Sequence, residues 1–252
     1  MSANLDSSQP LLQLTGIQKW FGRVHVLRGV DFEIKRGEVV GLCGDNGAGK
    51  STLIKVVSGY HRAEEGQITW EGKEVKLQSP YDARTLGIET VYQEQALAPH
   101  LSIARNIFMG REPTTFLGLM DQKAMADQSM KALASLGLNL RSPDMLVATL
   151  SGGQRQGVAI ARVIHFKAKL VILDEPTIAL AVKEVREVLE FVRHLKNEGV
   201  AVVFITHQLH HVFDVADRIV ILAHGTKLAD IATKDSNVDD LSDIIVRGTY
   251  GE

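Results

Sequence analysis

The pattern of apolar and polar positions predicts that the first third of the chain is rich in β-strands. Short apolar runs alternate with polar residues and end at glycines, which is typical of strands and hairpins. An "EG" pair at the centre of one such stretch predicts a tight turn. The predicted strands are "LLQLTGIQKWFG", "VLRGVDFEIKRGE", "VVGLCG", the hairpin "GQITWEGKEVKL" and "GIETVYQ", with one helix at "TLIKVVSGY".

The pattern becomes helical from Ser102 to about Leu138, in "SIARNIFMG" and "DQKAMADQSMKALASLGL". Apolar residues recur there at spacings of three and four. Proline and glycine punctuate "REPTTFLG" and "RSPD". We expect a helical subdomain over about residues 96–165.

Helices and continuous apolar strands alternate from Ser151 onward. The predicted strands are "KLVILDE" and "VAVVFIT", and the predicted helices are "GQRQGVAIARVIHF", "VKEVREVLEFVRHLKNEG" and a last segment near "VDDLSDIIVRG". Before that last helix come "LHHVFDVAD" and "RIVILAHGTKLA", of which "RIVILA" has the length of a strand. Apolar strands separated by helices indicate a parallel sheet that is covered on both faces. No internal repeat is present, so we expect one module.

The composition of the chain argues against a disordered, nucleic-acid-binding, secreted or membrane-spanning protein. The chain has 252 residues, 45% of them apolar, which supports a sizeable core. Its net charge of −2 gives no reason to expect nucleic acid as an electrostatic partner. The single cysteine, Cys43, lies in an apolar run and is interpreted as a small buried residue. The polar start "MSANLDSSQP" does not resemble a signal peptide, and no apolar run approaches the roughly 20 residues of a membrane span. We therefore expect a soluble cytoplasmic chain.

The stretch "GDNGAGKS" fits the pattern G-x-x-x-x-G-K-[ST] through Gly44, Gly49, Lys50 and Ser51. It follows a predicted strand and opens a predicted helix, as a phosphate-binding loop requires. Backbone N–H groups would surround the β-phosphate, Lys50 would reach the β- and γ-phosphates, and Ser51 would bind Mg²⁺. The alternative is a surface glycine turn before an ordinary helix.

Four further polar residues follow predicted strands. Asp174, at the end of "KLVILD", is a candidate Mg²⁺ ligand, and Glu175 is a candidate to polarise an attacking water. His207 in "FITHQ" is a candidate γ-phosphate contact, and Gln93 in "TVYQEQ" could reach Mg²⁺ or its water. The two carboxylates could instead simply end a strand and cap a helix, and the histidine could be a packing residue.

A second stretch of serine and glycine, "LSGGQRQG", precedes another predicted helix. Glycines let backbone N–H groups approach an anion at an electropositive helix N-terminus. The sequence thus contains two candidate phosphate-binding segments.

The ordered set "GDNGAGKST", "YQ", "LSGGQ", "LVILDEPT" and "ITH" resembles the ATP-binding subunit of an ABC transporter. The segments "SGYHRAEEGQITWEGKEV" and "GIETVYQEQALAPHLSIARNIFMGRE" further resemble bacterial importers of monosaccharides of the fructose and ribose type. The resemblance implies one α/β phosphate-loop ATPase domain over residues 11–248, after a polar tail over 1–10. That domain would have a mostly parallel, RecA-like core sheet, an antiparallel β subdomain and an inserted helical subdomain.

The family's site residues map onto this chain. Two copies would pack head to tail, so that the signature of one copy covers the ATP held by the other. An aromatic side chain would lie against adenine, and the "FG" alignment favours Phe21 with Trp20 as the alternative. The implied nucleotide-binding residues are Phe21, Gly44, Asp45, Asn46, Gly47, Ala48, Gly49, Lys50, Ser51, Thr52 and Gln93. The implied signature residues are Ser151, Gly152, Gly153 and Gln154, the metal site is Ser51, Gln93 and Asp174, and the catalytic residues are Glu175, His207 and Lys50.

The resemblance implies ATP hydrolysis with Mg²⁺ that powers sugar uptake. The implied partners are a second copy, an integral membrane permease and, indirectly, a periplasmic sugar-binding protein, with no nucleic acid. The chain would be peripheral at the cytoplasmic face of the inner membrane. The alternatives are a non-transport ABC ATPase acting on nucleic acid or ribosomes, a regulatory module with low turnover, and an exporter.

One segment departs from the family pattern. After "DEPT" the family usually has serine, alanine, leucine and aspartate, whereas this chain has Ile178, Ala179, Leu180 and Ala181. The missing aspartate puts in doubt how tightly hydrolysis at one site is coupled to the other. Lys50, Asp174 and Glu175 are present, so we expect activity.

Overall fold

The structure, a computed structural model, describes residues 9–92, 97–178 and 180–247. Within these residues, ten strands form two sheets. The strands are β1 (Leu12–Phe21), β2 (Val24–Ile34), β3 (Val39–Cys43), β4 (Glu65–Trp70), β5 (Lys73–Glu74), β6 (Ile88–Tyr92), β7 (Leu170–Asp174), β8 (Ala201–Ile205), β9 (Arg218–Ala223) and β10 (Thr226–Ala232). The helices are α1 (Lys50–Val57), α2 (Pro80–Leu86), α3 (Ile103–Phe108), α4 (Gln122–Ser135), α5 (Gly152–His165), α6 (Val182–Asn197), α7 (Leu209–Val215) and α8 (Val238–Arg247). Two short 3-10 turns lie at Val147–Thr149 and Thr233–Asp235.

The smaller sheet is antiparallel and has the strand order β2-β1-β4-β5. Strands β4 and β5 form the hairpin that the "EG" pair predicts, and Trp70 lies opposite Lys73. Glu71 and Gly72 both have positive φ angles, 51° and 75°, as the tight turns that suit the twist of a hairpin require. The sequence-based prediction of this hairpin is confirmed.

The larger sheet has six strands in the order β10-β9-β3-β8-β7-β6. Its first five strands in the chain run parallel, and β10 joins the edge antiparallel to β9. Every residue of β3 and β8 is buried, because helices and the antiparallel sheet cover both faces. The predicted parallel sheet, covered on both faces, is therefore confirmed.

Two elements differ from the sequence-based expectations. The strand-length run "RIVILA" is confirmed as β9, but the sequence pattern does not predict β10, which follows because His224 and Gly225 adopt φ angles of 49° and 81° and turn the chain into a β9–β10 hairpin. Helix α2 was not predicted. Its sequence signal is a capping box, in which the Ser79 hydroxyl accepts from the backbone N–H of Asp82 and the Asp82 carboxylate accepts from that of Ser79.

Helices α3, α4 and α5 pack around a hydrophobic cluster of their own. Ile103 and Phe108 of α3, Leu133 of α4 and Val158 of α5 are buried in it. This cluster is distinct from the two clusters that cover the faces of the large sheet. The signature helix α5 therefore has packing partners in the helical region, and it also contacts α6 of the sheet region.

Candidate functional site

An open cavity of about 670 Å³ lies at the carboxyl ends of β3, β7 and β8. Ligands bind at this edge in open α/β sheets. The predicted loop, both carboxylates and the histidine are brought together there. The lining residues are Val26, Gly44, Asp45, Asn46, Gly47, Ala48, Gly49, Lys50, Ser51, Thr52, Asp174, Glu175, Ile178 and His207.

The loop between β3 and α1 depends on glycine at two positions. Gly44 has a φ of 138°, and a Cβ there would clash with the carbonyl oxygen of Leu222. Gly49 has a φ of 106° and precedes α1 as its N-cap, where a Cβ would lie 2.9 Å from Leu27 Cδ2. Because both residues lack a side chain, the loop backbone folds tightly over the end of β3 and leads directly into α1.

Lys50, the first residue of α1, is only 9% exposed. Its Nζ donates hydrogen bonds to the carbonyl oxygens of Gly44 at 2.6 Å and Asp45 at 3.0 Å. The ammonium group is thus bound to the backbone of the loop, and Lys50 is one of the residues that line the cavity. A buried ammonium group beside free N–H groups at a helix N-terminus is suited to bind phosphate.

Asp174 is half-buried at the last position of β7. Burial, together with the neighbouring charge of Glu175, raises the pKa of the Asp174 carboxyl, and the Lys50 ammonium opposes that effect. Two carboxylates therefore lie side by side at the wall of the cavity. A cation placed between them and a phosphate group would relieve their mutual repulsion.

Glu175 has a left-handed backbone, with φ of 51°, which is unusual for a residue with a side chain. Its N–H donates to Ile205 O at 2.9 Å, so the neighbouring strand β8 holds this conformation. Glu175 Oε1 lies 3.1 Å from His207 Nδ1. Within the described residues, Glu175 Oε2 is buried and has no hydrogen-bond partner. The carboxylate therefore has a free acceptor beside the cavity.

Cys43 is the last residue of β3 and is completely buried. Burial raises the pKa of its thiol to about 12, against the weaker opposing effect of Lys50. The thiol is therefore protonated at neutral pH and acts as a small apolar side chain, as the sequence indicates.

The signature residues lie elsewhere on the same chain. Ser151 is the N-cap of α5, and its hydroxyl accepts from the backbone N–H of Gln154 at 3.2 Å. The Gln154 side chain accepts in return from the Ser151 N–H at 3.0 Å. None of these four residues, 151–154, is among those that line the cavity. The chain therefore presents two separate candidate phosphate-binding segments.

The remaining predicted residues lie outside this cavity or outside the described residues. Phe21 ends β1, is 44% exposed and packs edge-on against His61. Trp20 stacks on His25, with ring centroids 4.2 Å apart. Neither ring lines the cavity. Gln93 lies outside the described residues.

Sequence reasoning missed two lining residues, Val26 and Ile178. Ile178 follows the paired carboxylates by three residues, and its N–H donates to Glu175 O at 3.3 Å, so its proximity to them was a usable signal. Val26 belongs to β2 of the other sheet, and nothing in its local sequence indicates that it faces this loop.

The described residues contain neither a membrane-spanning helix nor a metal-binding cluster of side chains. No helix among them is both long and apolar enough to cross a bilayer. No group of three or more histidine, cysteine, aspartate or glutamate side chains in these ranges is placed to hold a metal ion.

The fold and this cavity define a phosphate-loop nucleotide-binding protein. Residues 27–178 match the family model described as ABC transporter. The chain belongs to the ABC transporter family, and the predicted family and fold class are confirmed.

Sugar importers are among its relatives. The chain is 47% identical to the xylose/arabinose import ATP-binding protein of Sulfolobus acidocaldarius, over 96% of both chains. It is 46% identical to the fructose import ATP-binding protein of Rhizobium meliloti, over 93% of both chains. It is 44% identical to a ribose import ATP-binding protein of Rubrobacter xylanophilus, where it spans 47% of that longer chain.

Solved structures show the same architecture. A nucleotide-free ATP-binding cassette from an ABC transporter is 25% identical, with a TM-score of 0.81, over 97% of this chain and 100% of that one. The ADP conformation of an ATP-binding cassette of an ABC transporter is also 25% identical, with a TM-score of 0.79 over 95% and 96%.

Proposed function

We propose that this chain is the ATP-hydrolysing subunit of an importer of monosaccharides, which couples hydrolysis to sugar uptake through a separate membrane permease. The observation that carries the proposal is the convergence of Lys50, Asp174, Glu175 and His207 on one cavity beneath a phosphate-binding loop. The full-length match to xylose/arabinose and fructose import proteins supports the transport role.

ATP would bind with its phosphates against the loop over residues 44–52. The N–H groups of the loop and of the first turn of α1 would contact the phosphates. Lys50 would exchange its bonds to the Gly44 and Asp45 carbonyls for phosphate oxygens. Phe21 would support the adenine ring from the end of β1, outside the phosphate cavity.

The residues present fit a magnesium ion. Mg²⁺ is usually held by one or two carboxylates, substrate phosphates and water, so no cage made of protein alone is expected. Ser51 and Asp174 both line the cavity, and burial together with the neighbouring charge of Glu175 raises the pKa of the Asp174 carboxyl. These two residues, with Gln93, would hold the ion. When bound, it would neutralise charge on the β- and γ-phosphates.

Glu175 would orient and polarise the attacking water. The free acceptor of its buried Oε2 is suited to bind a water proton. His207, 3.1 Å from Glu175 Oε1, would fix the carboxylate and contact the γ-phosphate. Lys50 would stabilise the charge that develops on the transferred group, so that positioning and electrostatics supply most of the catalysis.

The signature would complete the ATP site of a second copy of this chain. Residues 151–154 do not line their own chain's cavity, yet they begin a capped helix whose N-terminus is electropositive. In a twofold head-to-tail dimer, each copy would place this segment over the partner's γ-phosphate. ATP would then gain contacts in the closed dimer that it lacks in the open one, which is what lets it drive closure.

The remaining assignments concern the assembly. We propose a single domain over residues 11–248, whose helical part over about 96–165 docks the permease. The permease would receive sugar from a periplasmic binding protein. The chain would lie peripherally at the cytoplasmic face of the inner membrane.

Phosphate release by the purified chain tests this function. We expect steady release from ATP that requires Mg²⁺ and that is unaffected by added DNA or RNA. Reconstitution with a permease should make sugar uptake depend on ATP. Tight ATP binding without turnover would contradict the enzymatic role, and salt-dependent nucleic-acid binding would favour a non-transport ATPase.

Replacement of Ala181 by aspartate is expected to stabilise the chain and to alter the cooperativity of hydrolysis. Ala181 is the N-cap of α6 and has no side-chain acceptor for the first-turn N–H groups. A capping aspartate contributes about 1 kcal/mol, which corresponds to a rise in Tm of roughly 2–4 °C for a chain of this size. Thermal melts and ATP titrations of the hydrolysis rate measure the two effects. An unchanged Tm would contradict the capping role, and an unchanged Hill coefficient would contradict the coupling role.

A further inference from the structure

The start of α6 packs against the signature through two carboxylates. A Cβ on Gly152 would clash with Glu184 Oε1, and a Cβ on Gly153 would lie 2.6 Å from Glu187 Oε2. Carboxylate oxygens of α6 therefore lie directly against both signature glycines, and a side chain at either position would have to displace a glutamate. The first turns of α5 and α6 are in direct contact.

Glu184 touches two segments with one carboxylate. Its Oε2 accepts from the Ala181 N–H at 3.0 Å, and its Oε1 lies over Gly152. Because alanine carries no acceptor, the hydrogen bond from the Ala181 N–H to Glu184 is the one half of a capping box that is formed at the start of α6. The carboxylate also lies beside the N-terminal end of α5, where negative charge is favourable.

Ala181 is connected through a short segment to the chemistry. Glu175 lies six positions earlier in the chain, and Ile178, halfway between them, lines the cavity and donates to Glu175 O. A displacement of Glu175 on binding or losing the γ-phosphate would therefore reach the α6 N-cap over half a dozen residues. Because Glu184 contacts both Ala181 and Gly152, the displacement of the α6 N-cap would then shift the signature glycine Gly152.

We propose that Glu184 is a positioning residue that couples Glu175 to the signature residues 151–154 of the same chain. Those signature residues would contact the ATP that is bound to the partner copy. The inference rests on the proposed function, because the signature must act on a second copy. In the absence of an aspartate at position 181, Glu184 supplies the contact between the two ATP sites from within the chain.

The test compares Glu184→Ala with Glu184→Gln in the full-length chain. Glutamine keeps the length and the oxygen acceptor for the Ala181 N–H, whereas alanine removes both. We expect Glu184→Ala to lower kcat about 5- to 20-fold and to bring the Hill coefficient for ATP close to 1. Glu184→Gln should stay within about twofold of the wild type. ATP binding to the monomeric chain should change less than about twofold in both variants.

Glu190→Ala is the matched control, because Glu190 lies on the same helix, is exposed and pairs with Arg193. It should behave as the wild type. The inference would be overturned by a folded Glu184→Ala variant with normal kcat and Hill coefficient, by an equal loss in Glu190→Ala, or by no rescue in Glu184→Gln. A wild-type chain without turnover would instead refute the proposed function.

Discussion

Replacement of Glu175 by glutamine is expected to preserve ATP binding and to lower turnover about a hundred-fold or more. The variant keeps the size and shape of the side chain but removes the negative charge that polarises water. Glu175 has a buried oxygen without a hydrogen-bond partner among the described residues, and the other oxygen faces His207. The loop that would bind ATP does not depend on this charge. Phosphate release and equilibrium ATP binding measure the two properties separately.

The same variant should accumulate as an ATP-bound dimer, because hydrolysis is the step that would reopen it. Size-exclusion chromatography with Mg²⁺ and ATP detects that species. Glu198→Gln, at the end of α6, is a suitable control and should remain monomeric and active. Hydrolysis at more than about a third of the wild-type rate in Glu175→Gln would place the base elsewhere.

The sequence predicts those parts of the site that depend on local spacing. The spacing of the glycines, lysine and serine between Gly44 and Ser51 predicts a phosphate-binding loop between a strand and a helix. The apolar residues immediately before Asp174 predict a buried strand. Parallel strands share one carboxyl edge, so the polar residues that follow β7 and β8 must meet there. The cavity lining agrees with this placement for Lys50, Asp174, Glu175 and His207.

The sequence does not predict contacts between segments that are distant along the chain. The left-handed φ of Glu175 depends on a hydrogen bond to Ile205 O in β8, thirty positions further on. The contact of Glu184 with Gly152 depends on how α6 packs against α5. Val26 reaches the cavity because the small sheet packs over the loop. Each of these features is set by tertiary packing, which propensity and periodicity do not encode.

Replacement of Lys50 by alanine is expected to weaken ATP binding about a hundred-fold or more, and turnover should fall with it. A charge-assisted hydrogen bond contributes about 1.5–3 kcal/mol, and Lys50 would make more than one to phosphate. The loss has a second origin, because Lys50 Nζ donates to Gly44 O and Asp45 O in the structure. Without it these carbonyls lose their donor, and the loop loses the contact that holds it over α1. Isothermal titration with ATP measures the affinity, and thermal melting shows that the variant is folded.

Lys123→Ala separates the role of Lys50 from a general loss of positive charge. Lys123 also lies in the first turn of a helix, α4, but it is exposed and is not among the residues that line the cavity. The two variants have the same net charge, so steering of ATP by the whole protein changes equally in both. Only Lys50→Ala should lose affinity if the buried ammonium group is what contacts the phosphates. ATP affinity within about threefold of the wild type in Lys50→Ala would mean that the backbone of the loop binds the nucleotide without it.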